Sequence, residues 1–88
     1  MQRLLRHFEK SGVQGRFLSK KASLGATEVG SFNGNDFSVE IYLFPDEEKA
    51  QAAQKAGING KSCSRNGRLV LLAFRGEGYV LPAFQQFR

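Results

Sequence analysis

One cysteine, one histidine and no tryptophan stand among the 88 residues, and each scarcity removes a class of mechanism. A lone thiol, Cys63, forms no internal disulfide, so the fold does not depend on an oxidising compartment. His7 and Cys63 are the only candidates for a Cys-His catalytic pair, and they fall on elements that nothing in the sequence brings together. His7 is read instead as a solvated helix-flank residue and Cys63 as a small packing residue on a strand. Any metal site would have to draw on carboxylates, but Asp46, Glu47 and Glu48 are consecutive rather than convergent, so no metal is assigned. Glu28 and Glu40 are expected to face each other, or nearly so, across a first hairpin; a carboxylate pair on an open sheet face is ordinary and carries no catalytic assignment.

Phosphate-cradling glycine loops are also missing. There is no GxxxxGK[ST], and Gly76-Glu77-Gly78 lacks the third glycine of a dinucleotide fingerprint and follows the last strand, so no cofactor is expected. No run approaches the ~20 apolar residues that span a bilayer, and the N-terminus lacks the apolar core of a signal peptide. With Met1 as the natural start the expected location is cytoplasmic; as part of a longer precursor it is the cell envelope. The absence of a convergent catalytic set points away from an enzyme.

What is present is a globular composition. Hydrophobic content of 41%, charged content of 24% and eight Phe residues argue against disorder, and residues 1–88 leave room for a single domain. The chain is organised around Asp36 to Gly57. From Phe37 to Phe44 the side chains alternate: Phe37, Val39, Ile41 and Leu43 mark a core face, while Ser38, Glu40, Tyr42 and Phe44 begin polar and end aromatic. Pro45 stops the ladder, Asp46 caps a helix, and Glu47 and Glu48 complement the positive end of its dipole. Ala50, Ala53 and Ala56 allow that helix a close approach to a sheet. Gly57 is expected to end it in the left-handed conformation, with Ile58 folding back toward Ala53.

On either side the periods predict a helix over Met1–Lys10, with apolar Met1, Leu4, Leu5 and Phe8 opposite Arg3, Arg6 and Lys10, then a strand over Val13–Lys20. Lys20 to Ala26 reads as a loop. Thr27–Phe32 pairs with the central strand through the Asn33-Gly34 turn. A second hairpin joins Lys61–Arg65 to Arg68–Phe74 through Asn66-Gly67, a tight turn that places Ser64 opposite Leu69 and Cys63 opposite Val70. The run from Leu69 to Phe74 is apolar on both faces and belongs inside the sheet. Pro82 fits the first turn of a final helix over Tyr79–Phe87, with Val80, Ala83, Phe84 and Phe87 as its stripe. The expectation is an α+β fold in the order α-β-β-β-α-β-β-α with a mainly antiparallel sheet of about five strands.

This pattern resembles a loose group of small, largely uncharacterised bacterial α+β domains, some of them outer parts of lipoproteins or membrane-anchored proteins. The residues that carry the resemblance are the short helix ending in Gly12-Val13, the strand Val39-Glu40-Ile41-Tyr42 with Phe44, the helix start Asp46-Glu47-Glu48 followed by Ala50, and Asn66-Gly67-Arg68-Leu69-Val70-Leu71-Leu72. The chain departs from the group in having no lipid-attachment cysteine near its start and in being strongly basic. The resemblance implies a cell-envelope setting and brings no activity.

Thirteen Lys and Arg against eight Asp and Glu give a net charge of +5. Two functions follow. The first is a non-catalytic binding or assembly module acting through protein-protein contacts, self-association included, with Tyr42, Phe44 and Phe74 on a sheet face that the helices leave open. The two terminal helices are the elements available to close that face. The alternative is a basic nucleic-acid, or polyanion, binding protein whose footprint is Arg16, Lys20, Lys21, Arg65, Arg68 and Arg75, or separately the stripe Arg3, Arg6 and Lys10.

Overall fold

Pro45 ends a strand and Asp46 begins a helix, as their chemistry requires. The computed structural model describes residues 1–88 in the order α1 (Gln2–Lys10), β1 (Arg16–Lys20), β2 (Glu28–Asn33), β3 (Ser38–Leu43), α2 (Glu47–Ala56), β4 (Ser64–Asn66), β5 (Leu69–Arg75) and α3 (Glu77–Gln86). The Asp46 carboxylate accepts the Lys49 amide hydrogen at 2.8 Å, satisfying one of the free donors of the first turn of α2.

The five strands form one antiparallel sheet in the order β1-β2-β3-β5-β4. β5, apolar on both faces, is interior as its sequence demands. On the first face Phe37, Val39, Ile41 and Leu71 meet α1 through Leu4 and Phe8, and α3 through Val80, Ala83 and Phe84. On the second face Tyr42, Phe44, Val70 and Leu72 meet Ala50 of α2 and Ile58. Phe8, Phe44 and Phe84 are fully buried, each worth about 1.5–3 kcal/mol of transfer from water. Phe8 stacks on Phe32 with ring centroids 5.1 Å apart, and Phe32 leans on Phe37 at 5.2 Å.

Several expected boundaries move, each for a local reason. β1 starts at Arg16 rather than Val13, because the Val13 amide is engaged with the Phe8 carbonyl at 2.9 Å in ending α1. Gly57 does end α2, but at φ 77 and ψ 164 it is extended on the glycine side of the map rather than left-handed helical. That turn feeds a feature the sequence reading missed. Ile58 and Lys61 bond to each other on both sides, at 3.0 Å, across Asn59 and Gly60, whose φ values of 54 and 73 are the signature of a type I′ turn. Lys61 is thereby taken out of β4, which shrinks to three residues.

The last hairpin turns one position later than Asn66-Gly67 suggests. Asn66 pairs with Leu69, Arg65 with Val70 and Ser64 with Leu71, so the loop is Gly67-Arg68. Asn66 stays in the strand because its side-chain amide reaches the Phe84 and Phe87 carbonyls, both at 2.8 Å, where α3 ends. α3 itself begins at Glu77, two residues early, so Pro82 lies in its second turn and leaves the Gly78 carbonyl without its usual partner. Between β3 and β5 the register slips next to Ser38: Val39 faces Ala73 but Ser38 faces Arg75, leaving Phe74 as the unpaired residue of a bulge.

Candidate functional site

The two sheet faces are covered unequally. Both terminal helices lie on the first face, where α1 and α3 also touch each other. They therefore do not close the second face, as the sequence reading had allowed. That role falls to α2, which packs against β5 and β4 and leaves β1 and β2 without a helix. The burial of candidate residues follows. Tyr42 and Phe44, expected in an open patch, are 4% and 1% exposed under α2 and its neighbours. Phe74 remains 46% exposed at the bulge, with the Lys61 ammonium 5.7 Å from its ring centroid.

Of the two exposed leucines, Leu24 lies in the loop after β1, whereas Leu18 is 55% accessible in the middle of β1 and was overlooked by the sequence reading. Its alternation supplied the signal. Arg16, Leu18 and Lys20 share one side of the strand, and an apolar residue between two cations on a solvated side has no core to enter.

Beside Leu18 lies a charged cluster centred on Glu40. Lys20 reaches across β2 and donates to Glu40 Oε2 at 2.5 Å, while the Tyr42 hydroxyl donates to Glu40 Oε1 at 2.8 Å. Burial alone would raise the Glu40 carboxyl, but the hydrogen bonds from Lys20 and Tyr42 and the Lys20 charge outweigh it and hold the group below the usual carboxylate range. Burial, then the Glu40 acceptor, pushes the Tyr42 phenol well above its ordinary value. The arrangement fixes protons and pins side chains; it is a latch on the sheet face. Glu28 takes no part, because it pairs with Leu43 on the opposite face and does not face Glu40.

The remaining chemistry-bearing residues separate. His7 lies on α1, where its Nε2–H donates to the Ala83 carbonyl at 2.7 Å, whereas Cys63 packs with the second-face cluster. A carbonyl only accepts, so the tautomer is fixed by its partner. Burial raises the Cys63 thiol. Asp46, Glu47 and Glu48 sit at the start of α2, and no group of three or more His, Cys, Asp or Glu residues converges.

The six-residue cationic footprint also splits. Arg16, Lys20 and Lys21 follow β1 at one margin of the sheet, and Arg65 follows β4 at the other, four strand spacings or about 19 Å away. Arg65 is engaged by the Gln54 carbonyl oxygen at 3.3 Å and the Gly67 carbonyl at 3.0 Å. Arg68 donates to the Pro45 carbonyl and Arg75 to the Asn35 carbonyl. The stripe Arg3, Arg6 and Lys10, in contrast, lines one groove.

No protein-family model, curated protein or solved structure matches the chain. No helix is long and apolar enough to cross a membrane.

Proposed function

We propose that the chain is a non-catalytic binding module that takes up an extended, acidic segment of a partner protein along the free edge of β1. One observation carries the reading: β1 is an edge strand with no helix over its second face, where Arg16, Leu18 and Lys20 stand exposed in a row. An edge strand offers unpaired backbone groups to which an extended chain adds as a further strand, and alternate side chains then select the partner. The row reads cation, apolar, cation, so the complementary strand carries carboxylates on either side of an apolar residue. Lys20 is already aligned by Glu40, and half of its side chain remains accessible to a second carboxylate.

A second copy of the chain is the poorer occupant. Antiparallel pairing of β1 with itself about Leu18 sets Arg16 of one copy against Lys20 of the other, and like charges directly opposed are unfavourable. The other sheet margin, β4, offers only three residues, and its Arg65 is engaged within the fold.

The test is amide chemical-shift mapping with a synthetic peptide containing Glu-Thr-Val-Thr-Glu. Shift changes are expected along Arg16–Lys20 and at Ser31, and they should vanish in Leu18→Glu. Changes centred on another element, or changes that survive Leu18→Glu, would sink the proposal.

A further inference from the structure

The fold places the cations of β1 and those of β4 at opposite margins of the sheet, while α1 gathers three that are spaced three and four apart. Arg3, Arg6 and Lys10 fall within about 60° of one another around the helix and span about 10 Å along its axis. With His7, and with Phe87 and Arg88 beyond the end of α3, they line a groove of about 390 Å³. This groove is on the first face of the sheet, so it is independent of the β1 edge.

We propose that the groove between α1 and the end of α3 binds the phosphodiester backbone of a nucleic-acid strand, with Arg3, Arg6 and Lys10 as its phosphate contacts. Charge is the first argument. No Asp or Glu lines this groove, and none of Arg3, Arg6 and Lys10 makes an ion pair. Glu9, the acid of α1, lies outside this groove and lines neighbouring cavities, one of them shared with Arg6.

Order is the second argument. The Arg3 guanidinium donates to the Arg88 carbonyl at 3.1 Å and lies 5.8 Å from the Phe87 ring centroid, which fixes one wall of the groove before any ligand arrives. Spacing is the third. One strand of a duplex presents a phosphate every ~3.4 Å along the axis, so a cation row about 10 Å long meets about three of them. A lipid surface fits less well, because a helix that binds in the bilayer interface needs an apolar face to insert. Leu4 and Phe8 of α1 are already 1% and 0% exposed in the core.

The experiment is fluorescence anisotropy of labelled 12-nucleotide single strands and 12-base-pair duplexes across a salt series. It compares the unaltered chain with Arg6→Ala/Lys10→Ala and with Lys49→Ala/Lys55→Ala, which removes the same charge from α2 on the opposite sheet face. Binding in the range of about 1–100 µM is expected at physiological salt. The α1 variant should lower the log–log salt slope by about 1.4 for single strands or 1.8 for duplexes, and the α2 variant should leave it unchanged; the form bound more tightly identifies the ligand. Equal losses in the two variants, an unchanged slope in the α1 variant, or binding to phosphatidylserine vesicles without binding to either oligonucleotide would each overturn the assignment. Both variants alter exposed helical positions, and circular dichroism of each checks that the fold is intact.

Discussion

The ring of Phe17 covers Gly30 so closely that a Cβ on the glycine would fall 2.1 Å from the ring Cζ. The two residues sit on adjacent strands, one diagonal apart, since Phe17 pairs directly with Phe32 and Gly30 with Ser19. The aromatic ring supplies the cover that a side chain at position 30 would otherwise provide, and so ties the edge strand to the sheet. Gly30→Ala is expected to destabilise the fold by about 1–3 kcal/mol in urea unfolding. In a Phe17→Ala background the same substitution should cost much less, because the clash has gone; additive costs would show that the two residues are not coupled.

Asn66 joins the last hairpin to the last helix. Replacing it with Ala removes two hydrogen bonds at the end of α3, for an expected loss of about 1–3 kcal/mol. Asn66→Asp should be worse, since an ionised carboxylate cannot donate to the Phe84 and Phe87 carbonyls. Hydrogen exchange over α3 should accelerate more than exchange over β2 in both variants.

The Glu40 latch makes stability depend on pH at both ends. A carboxyl more acidic in the folded than in the unfolded chain stabilises the fold above its unfolded titration, near pH ~4.3, and loses that contribution as pH falls through the folded value. The urea midpoint should therefore fall below about pH 4.3, and Glu40→Gln should flatten that fall. The Tyr42 phenol is shifted upward, so its contribution is intact below pH ~10 and is lost as pH rises beyond it. Tyr42→Phe should flatten the alkaline side. Parallel curves for the unaltered chain and both variants would remove the latch from the stability of the fold.

Leu18 separates binding from folding. At 55% exposure, with no core contact to lose, Leu18→Glu is expected to leave unfolding free energy within about 0.5 kcal/mol while abolishing uptake of the acidic peptide. A larger stability change would mean that β1 depends on this side chain.

Where one local rule decided the outcome, the sequence was a sufficient guide. The alternation from Phe37 to Leu43, the Asp46 cap and the two-faced apolar run of β5 all appear as read, and so does the order of elements. Where two rules competed, the outcome depended on distant partners. Asn66-Gly67 is a strong turn signal, yet Asn66 was claimed by helix carbonyls that lie close only in the finished fold. Lys61 looked like strand and was taken by the Asn59-Gly60 turn. Tyr42 and Phe44 carry no mark that tells aromatic core from aromatic patch; that depends on which face receives α2. The placement of the cations was hidden for the same reason, because strand order, not sequence order, sets the distance between Lys20 and Arg65.

The insertion of β5 between β3 and β4 has a consequence for a chain made from its N-terminus. Until Leu69–Arg75 has left the ribosome, β3 is the margin of an unfinished sheet, with Val39 and Ile41 on its apolar side and its outer ladder unpaired. Pairing of β3 with β5 closes a loop that contains the whole of α2, and α3 is synthesised later still. From the completion of Leu43 until that of Arg75 the emerging protein therefore carries its future centre as its most adhesive border, and a nascent chain stalled before Leu69 should be the form that chaperones hold most tightly.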